Sequence, residues 1–269
     1  MKDMPNVVVC GAAGRMGKLL VSLVQDHPET RLTGAVEAAG HPALGKDAGE
    51  VAGIGTVGVK ITADYGAVAA PDTVTLDFTV PEAALDHLRT AVATGAAIVI
   101  GTTGFSAEQR AEAEKVAPKT RSLIAPNMSI GVNVLQKIVA DVARILQEGF
   151  DPEIVEIHHR FKTDAPSGTA LALGRTIAAA QGKDFDQQAV LARQGMTGQR
   201  TNDEIGIMTL RGGDVVGDHT VIFAGFAERL ELTHRAQSRE CLARGALRAA
   251  LWLPRQPSGL YSMKDVLGL

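Results

Sequence analysis

The fold of this chain is decided by the stretch Asn6-Val7-Val8-Val9-Cys10-Gly11-Ala12-Ala13-Gly14-Arg15-Met16-Gly17. Its first five residues form a short apolar run, which is typical of a strand buried on both faces of a parallel sheet. Glycines follow at every third position, and Lys18 to Val24 then has the apolar-rich composition of a helix. Strand, glycine turn and helix form the context of a dinucleotide-binding loop, because glycines let the backbone approach a pyrophosphate at the helix N-terminus. We expect the cofactor to contact Gly11, Ala12, Ala13, Gly14, Arg15 and Met16.

An acidic residue, Glu37, follows the second predicted strand, Leu32 to Val36. It stands roughly twenty residues beyond the last glycine, where a carboxylate commonly binds the ribose hydroxyls of the cofactor. The glycine spacing is G-x-x-G-x-x-G and not the commoner G-x-G-x-x-G, so a tight turn followed by a solvated surface acid is the alternative. Ala38 and Ala39 come next, and no arginine stands there to neutralise a ribose 2′-phosphate. Our hypothesis is that NADH binds at least as readily as NADPH.

Strands and helices alternate from the glycine loop as far as Asn127. This alternation predicts a Rossmann-type, doubly wound parallel sheet, whose ligands lie beyond the carboxyl ends of the strands. The Gly- and Ala-rich segment Gly40 to Val59 is interpreted as a loop within it. The residues at strand ends that we expect to contact the cofactor are Gly101, Thr102, Thr103, Ala125, Pro126 and Asn127.

The pattern changes from Ser129 onward, where a long amphipathic helix is followed by strand-rich sequence. We predict a second α+β domain at residues 129–238, with an open mixed, largely antiparallel sheet, and a hairpin turn at Gly212-Gly213-Asp214. An open sheet has a face and edges to cover, so this domain is the candidate for substrate binding and oligomerisation. Residues 1–128 form the predicted dinucleotide-binding domain, completed by a helical C-terminal part at 239–269.

Composition excludes several classes of protein. Lys and Arg total 27 against 30 Asp and Glu in 269 residues, so the basic excess that nucleic-acid binding requires is missing. No apolar stretch approaches membrane-spanning length, and the N-terminus makes a poor signal peptide, so we expect a cytoplasmic protein without a membrane partner. Only Cys10 and Cys241 are present, and the histidines are mostly scattered, so neither a disulfide framework nor a metal site is expected.

Ionisable side chains are concentrated in the segment Glu156-Ile157-His158-His159-Arg160-Phe161-Lys162-Thr163-Asp164-Ala165-Pro166-Ser167-Gly168-Thr169-Ala170. It places several cations just before the predicted helix Leu171 to Ala180, and the positive end of a helix attracts carboxylate or phosphate groups. We expect an anionic substrate here. The alternative is that the histidines are satisfied polar residues at a strand end and that the Ser-Gly-Thr turn is an ordinary helix cap.

The sequence resembles the 4-hydroxy-tetrahydrodipicolinate reductase (dihydrodipicolinate reductase) family of the bacterial diaminopimelate and lysine pathway. The resemblance covers nearly the whole chain, and its most specific part is the His-His-Arg-x-Lys-x-Asp-Ala-Pro-Ser-Gly-Thr-Ala segment. The other matching stretches are the glycine loop, Asp77-Phe78-Thr79, Gly101 to Phe105, Asn127 to Asn133 and Ser258-Gly259-Leu260.

The resemblance implies a two-domain homotetramer that reduces a cyclic, unsaturated imine bearing two carboxylates, with NADH or NADPH as cofactor. It implies that His158 is the proton donor, that Lys162 is a second catalytic donor which also binds substrate, and that His159, Gly168 and Thr169 contact the substrate. It adds Met128 to the cofactor contacts and includes Glu37 among them. The chain departs from the family pattern at Ala38, where some members carry arginine, and at Phe161, where some carry another histidine.

The residue chemistry points the same way. Hydride addition to a conjugated ring leaves an enamine that must gain a proton, and histidine titrates near neutral pH. Strict alternation along a strand would place His158 and His159 on opposite faces, so both reach one substrate only if the strand ends or twists there. Two competing hypotheses remain. One is another two-domain dehydrogenase, such as a semialdehyde or sugar dehydrogenase, of which the former needs a nucleophilic cysteine. The other is a catalytically silent nucleotide sensor on the same fold.

Overall fold

The structure is a computed structural model of the 269-residue chain, and it describes residues 4–269. Residues 1–3, which the first predicted domain includes, lie outside the described part. The chain divides into two compact units, one running up to Ile130 and joined by Glu240–Leu269, the other formed by Gly131–Arg239. This division falls close to the borders at 128 and 239 in the sequence-based domain scheme. The functions predicted for the two domains remain proposals.

The strands, in chain order, are β1 (Asn6–Cys10), β2 (Arg31–Val36), β3 (Ile61–Thr62), β4 (Thr73–Asp77), β5 (Ala97–Ile100), β6 (Arg121–Ile124), β7 (Phe150–His158), β8 (Ala189–Val190), β9 (Ile205–Arg211), β10 (Gly217–Gly225), β11 (Arg229–Ala236) and β12 (Gly259–Tyr261). The helices are α1 (Arg15–Asp26), α2 (Ala48–Ala52), α3 (Pro81–Thr94), α4 (Ala107–Val116), α5 (Ile130–Ile145), α6 (Gly168–Ala180), α7 (Phe185–Gln188), α8 (Glu240–Trp252) and α9 (Met263–Leu267).

The first unit is built on a sheet with the strand order β12-β6-β5-β4-β1-β2-β3, in which every pairing is parallel. The chain leaves β1 toward β2 on one side and leaves β4 toward β5 on the other, so the strand order reverses between β1 and β4. Ligands of doubly wound sheets bind at this reversal, beyond the carboxyl ends of the strands. The predicted fold class of the first domain is confirmed.

The sequence explains why β1 is central. Its residues Val7, Val8, Val9 and Cys10 are completely buried, as a strand between two layers of helices requires. On one side α1 contributes Leu20, Val21 and Val24 to the core, and on the other α3 contributes Leu85 and Leu88. Burial on both faces holds the end of β1, and the glycine loop that follows it, in a fixed place.

The predicted loop from Gly40 to Val59 is wrong in part, because it contains the short helix α2. The carboxylate of Asp47 caps this helix by accepting from the N–H groups of Gly49 and Glu50, at 2.8 and 3.3 Å. The same carboxylate also accepts from Val57 and Gly58. The sequence carried the signal, since Asp47 followed three residues later by Glu50 is a helix-start pattern.

The second unit contains a sheet with the strand order β11-β10-β7-β9-β8. The two antiparallel ladders, β10 with β11 and β10 with β7, are longer than the two parallel ladders, β7 with β9 and β9 with β8. This is the predicted mixed, largely antiparallel sheet. One of its faces packs against α5 and α6, and the aliphatic side chains of this core include Val139, Ile154, Leu173, Ile207 and Val221.

The predicted hairpin at Gly212-Gly213-Asp214 is wrong. Strands β9 and β10 are not neighbours, because β7 lies between them and pairs with both. The glycine turn instead crosses the end of β7, where the Gly212 N–H donates to the His158 carbonyl at 3.0 Å and the Gly213 carbonyl accepts from Arg160 N–H at 3.2 Å. The turn therefore fixes the backbone on both sides of the predicted site residue His159.

Candidate active site

The glycine loop of the first unit connects β1 to α1 in a conformation that only small residues permit. Gly11 has a φ of +71°, in the left-handed region that favours glycine. A Cβ on Gly17 would lie 2.0 Å from the Gly11 carbonyl oxygen and 2.7 Å from the Cα of Ala12. Gly17 thus allows the first turn of α1 to pack directly on the loop, a role that the sequence analysis did not assign to it.

The backbone hydrogen bonds of this loop show which of its N–H groups could hold a phosphate. Gly11 and Ala12 both donate to the Val36 carbonyl, at 2.9 and 3.0 Å, and Gly14 donates to Gly11. Ala13 donates to the Glu37 carboxylate at 3.0 Å. In contrast, the N–H groups of Arg15, Met16 and Gly17 have no acceptor anywhere in residues 4–269, and Gly14 supplies no side-chain cap. The open donors are therefore at the start of α1.

Such a helix start fits the pyrophosphate of a dinucleotide, since unpaired N–H groups and the positive end of the helix dipole both favour an anion. No acidic residue stands in the first turn of α1 to oppose it. Glu37 lies directly after β2 and also accepts from the Ala38 N–H at 3.1 Å. Its carboxylate is thus fixed beside the loop by Ala13 and Ala38, in the position predicted for the ribose-binding acid.

A buried carboxylate, Asp77, organises the next two strand ends. It is the last residue of β4 and completely buried. Its Oδ1 accepts from the N–H and hydroxyl of Thr79, at 2.9 and 2.7 Å, and from the Thr102 hydroxyl at 3.3 Å. Its Oδ2 lies 2.6 Å from Nδ1 of His87 on α3. Asp77 therefore ties the loop after β4 to the loop after β5, in which Gly101, Thr102 and Thr103 were predicted to contact the cofactor.

The segment after β6 is held in place by hydrogen bonds and by burial of some of its side chains. The N–H of Ala125 donates to the Ile100 carbonyl at 3.1 Å, and Asn127 Oδ1 accepts from Ser129 N–H at 2.9 Å. The Met128 side chain, only 1% exposed, belongs to the core of the first unit. A cofactor contact at Met128 would therefore have to use its backbone, and the side chains of Ala12 and Ala125 are buried in the same core.

In the second unit, the inner face of the sheet changes from apolar to polar toward the end of β7. Along β7 the residues Ile154, Glu156 and His158 alternate onto this face and are all buried. Register places His219 and Thr209 beside Glu156, and Arg211 beside His158. The hydrophobic core thus ends at Ile154, and the two following rows of the sheet carry ionisable groups.

Glu156 is the centre of this polar cluster. Its carboxylate is completely buried and accepts from donors on two other segments, β9 and the start of α6, as well as from His158. His158 Nδ1 lies 2.5 Å from Oε2. Both terminal nitrogens of Arg211 donate to the carboxylate, at 2.9 and 3.0 Å. The Ser167 N–H and the Thr209 hydroxyl donate to Oε1, at 3.0 and 3.1 Å.

The cluster changes the acidity of its members. Burial raises the pKa of Glu156, but the hydrogen bonds from Arg211 and His158 outweigh burial and leave that pKa below its ordinary value. Burial lowers the pKa of His158, with the cations Lys162 and Arg211 acting in the same direction and Glu156 opposing them. Burial, aided by the His158 charge, lowers the pKa of His219 to about 4. His219 is therefore neutral at physiological pH, and its Nε2 lies 3.0 Å from the Ser167 hydroxyl.

The remaining predicted residues of this site surround His158. Strand β7 ends at His158, so His159 is free of the strict alternation that would have turned it to the opposite face. Lys162 Nζ donates to Asp164 Oδ1 at 2.7 Å. Gly168 and Thr169 are the first residues of α6, which Ser167 caps by accepting from Ala170 N–H at 3.2 Å. A Cβ on Gly168 would meet nothing within 4 Å, which leaves open space above the helix start.

Two further features bear on the chemistry. Among the described residues, Cys10, Asp77 and His87 offer metal-ligand atoms within 4.8 Å of one another. His87 and Asp77 already share a hydrogen bond there. Burial, together with the Asp77 and Glu37 carboxylates, raises the pKa of the Cys10 thiol. A raised pKa opposes formation of the thiolate that a metal site or a nucleophile requires.

From Met4 to the C-terminus, no helix combines the length and apolarity needed to cross a membrane.

The chain matches known proteins along nearly its whole length. Residues 5–128 match the family model described as "Dihydrodipicolinate reductase, N-terminus", and residues 131–267 match "Dihydrodipicolinate reductase, C-terminus". A 4-hydroxy-tetrahydrodipicolinate reductase of Syntrophobacter fumaroxidans is 52% identical over 99% of this chain and all of that protein. One of Pelobacter propionicus is 51% identical with the same coverage.

The fold also has a relative among solved structures. A dipicolinate-bound dihydrodipicolinate reductase from Paenisporosarcina sp. TG-14 superimposes with a TM-score of 0.75 at 22% identity, over 97% of this chain and 98% of that one. A parallel sheet with an open helix N-terminus after its first strand, and a second unit carrying a histidine and carboxylate cluster, fit a nicotinamide-dependent oxidoreductase, and the matches to reductases along the chain assign it to that class. The chain belongs to the dihydrodipicolinate reductase family. The predicted family and the predicted class of enzyme are confirmed.

Proposed function

We propose that this chain reduces 4-hydroxy-tetrahydrodipicolinate to tetrahydrodipicolinate, in the diaminopimelate route to lysine, with NADH or NADPH as reductant and His158 as proton donor. The observation that carries the assignment of the acid is the 2.5 Å contact between His158 Nδ1 and the buried carboxylate of Glu156, beside the N-terminus of α6. A fixed imidazole next to an anion-binding helix start is what proton transfer to a dicarboxylate requires.

We assign cofactor binding to the first unit. The N–H groups of Arg15 and Met16 would hold the pyrophosphate, Glu37 would accept from ribose hydroxyls, and the backbones at 101–103 and 125–128 would line the remaining length. When bound, the reduced nicotinamide supplies the hydride. Because Ala38 offers no charge to a 2′-phosphate and Glu37 would repel one, we expect NADH to be used at least as well as NADPH.

We assign substrate binding to the second unit. Lys162 and the N–H groups at Gly168 and Thr169 would bind the substrate carboxylates, with His159 as a further contact. In the overall reaction the 4-hydroxyl group leaves as water together with a proton from an adjacent ring carbon, a ring carbon then accepts the hydride, and the enamine formed gains one proton. His158 would give this proton from Nε2, since its Nδ1 is engaged by Glu156.

We propose that the second unit also forms a homotetramer, as the resemblance implies. The face of its sheet opposite α5 and α6 carries apolar side chains that do not belong to the core on the helical side, namely Val155, Ile157, Met208, Leu210 and Ile222. Strand β11 forms an edge of the same sheet. An apolar face beside an open edge favours assembly. Light scattering after gel filtration should give four times the 28.2 kDa of one chain, and the mass of one chain would contradict the proposal.

We further propose a cytoplasmic location. Both cysteines are free thiols, which suits a reducing compartment. Cell fractionation of the source organism with an antibody to the chain should recover it with cytoplasmic markers. Recovery with periplasmic markers would contradict this location.

The reaction is tested by following oxidation of NADH and of NADPH side by side, with the substrate generated in situ by the preceding synthase. Loss of reduced nicotinamide that depends on the synthase product is expected with both cofactors, and the NADH rate should equal or exceed the NADPH rate. Tight cofactor binding without turnover would instead favour the nucleotide sensor. A semialdehyde dehydrogenase is disfavoured, because Cys10 is buried in β1 and lacks the lowered pKa of a nucleophile.

A further inference from the structure

We infer that Glu156 is a positioning residue for the reaction, which holds His158 with its proton on Nδ1 and at the same time fixes the start of α6 against the end of β7. The inference rests on the proposed function of His158 as proton donor. It concerns a residue of the segment 156–170 to which neither the residue pattern nor the resemblance gave a role.

The hydrogen bond between the two side chains has a defined direction. An ionised carboxylate can only accept, so Nδ1 of His158 must donate to Glu156 Oε2 across their 2.5 Å contact. Arg211 keeps Glu156 ionised by donating to both of its oxygens. The neutral imidazole therefore leaves its lone pair on Nε2, and Nε2 is the atom that takes up a proton and later gives it away.

The space around Nε2 is set by the neighbouring strand β10. A Cβ at position 217 would lie 2.8 Å from His158 Nε2, so glycine at this position is what gives the ring room in this orientation. His158 is 9% exposed, and the His219 ring packs against it edge to face with centroids 5.1 Å apart. The imidazole is thus held by Glu156 on one side and by packing on another, with little freedom to turn.

Glu156 also links the proton donor to the helix that would bind the substrate. The Ser167 N–H donates to Oε1 of Glu156, while the Ser167 hydroxyl caps α6 through Ala170. Arg211, held by Glu156, also donates to the Asp164 carbonyl at 2.6 Å in the loop that carries Lys162. One carboxylate therefore joins the proton donor, the helix start and the lysine loop, and sets their spacing.

The charged and titratable groups that face His158 decide whether Glu156→Gln moves the protonation of His158 to lower or to higher pH. They are Glu156 on its own strand, Arg211 on β9, neutral His219 on β10 and Lys162 in the following loop, with the positive start of α6 beside them. Only Glu156 favours the imidazolium. Glu156→Gln should therefore shift protonation of His158 to lower pH by about 1–3 pH units, and lower kcat by about a hundredfold because the general acid is less often protonated and less well placed.

The experiment combines histidine NMR with pH profiles of turnover. In 15N-histidine-labelled wild-type protein, with His158 assigned by comparison with His158→Gln, the neutral form should carry its proton on Nδ1. A neutral form with the proton on Nε2 would overturn the inference, whether or not any Glu156 variant folds and whether or not the protein turns over substrate. Absence of turnover in the wild type would count against the proposed function alone.

The matched control is Glu153→Gln. Glu153 lies on the same strand and accepts from two arginines, Arg193 and Arg200, at 2.7–3.0 Å, but it points away from His158. This variant should keep the wild-type pH midpoint and kcat. Glu156→Asp retains the charge and shortens the reach, so it should restore the pH midpoint while kcat stays low. A wild-type kcat and midpoint in Glu156→Gln would refute the positioning role.

Discussion

Replacing Gly17 with alanine tests whether the start of α1 is the cofactor site. The new Cβ would lie 2.0 Å from the Gly11 carbonyl oxygen and 2.7 Å from the Cα of Ala12. Both neighbours are backbone atoms, so no side chain can rotate away, and the loop and the helix must move apart to restore ordinary contact. The N–H groups of Arg15, Met16 and Gly17 would move with the helix.

The size of the effect follows from two opposing terms. Overpacking of this kind costs about 1–3 kcal/mol, and alanine returns about 1 kcal/mol through its helix propensity, so the free energy of unfolding should fall by about 0–2 kcal/mol. As a fraction of the total, NADH binding should lose more free energy than folding does, because the donors that would face the pyrophosphate are displaced together. We expect Kd to rise about tenfold or more, which corresponds to about 1.4 kcal/mol.

The assay is an NADH fluorescence titration together with urea unfolding, on Gly17→Ala and on Gly168→Ala as the control. Gly168 also stands at the first turn of a helix, but its added Cβ would meet nothing within 4 Å. Gly168→Ala should therefore be at least as stable as the wild type and keep the wild-type NADH affinity. A wild-type Kd for NADH in Gly17→Ala would refute the assignment of the pyrophosphate to the start of α1.

The remaining predictions concern the second unit. His158→Gln should lower kcat by about 10²–10⁴-fold with little change in KM, because a general acid acts in the transition state; an unchanged kcat in steady-state assays would exclude the role. Lys162→Met should lower kcat and raise KM together, since a carboxylate partner is lost with the donor, and a wild-type KM would contradict substrate binding by Lys162. The value of kcat/KM should fall as pH rises through a midpoint below 6.5, because the acid must be protonated and burial lowers the pKa of His158 in the free enzyme. A profile that rises over the same pH range would contradict this assignment.

Local sequence signals predicted most of the first unit. The valines of β1, the glycine loop and the acid after β2 lie within one continuous segment, so their relation could be deduced from spacing alone. Pro81 at the start of α3 and the Ser106-x-x-Gln109 pattern before α4 are likewise signals that a helix carries in its own sequence. What spacing could not reveal is that most N–H groups of the glycine loop are already used, because their acceptors, Val36 and Glu37, lie on another strand or directly after it.

The second unit shows more clearly what could not be predicted from the sequence. Gly212-Gly213-Asp214 joins two strands and has the composition of a hairpin, yet β7 separates β9 from β10. The pairing partner of a strand depends on contacts distant in sequence, whereas a glycine-rich turn reports only that the chain changes direction. Because the turn was predicted to be a hairpin, its hydrogen bond from Gly212 N–H to the His158 carbonyl, at the candidate site, was not predicted.

Glu156 and Asp77 show what the strand pattern can still reveal about a site. Each is a carboxylate on a buried position of a strand: Glu156 has the same parity along β7 as Ile154, and Asp77 is the last residue of β4, all of whose residues are buried. A charge in that place is strongly unfavourable unless several donors surround it. The period of the strand therefore predicts that loops or neighbouring strands converge on the carboxylate, even though it cannot name them. In each unit at least one of these donors belongs to a segment proposed to bind cofactor or substrate, Thr102 for Asp77 and His158 for Glu156. An acid on the buried period of a strand is therefore a signal for a candidate site beside the histidines.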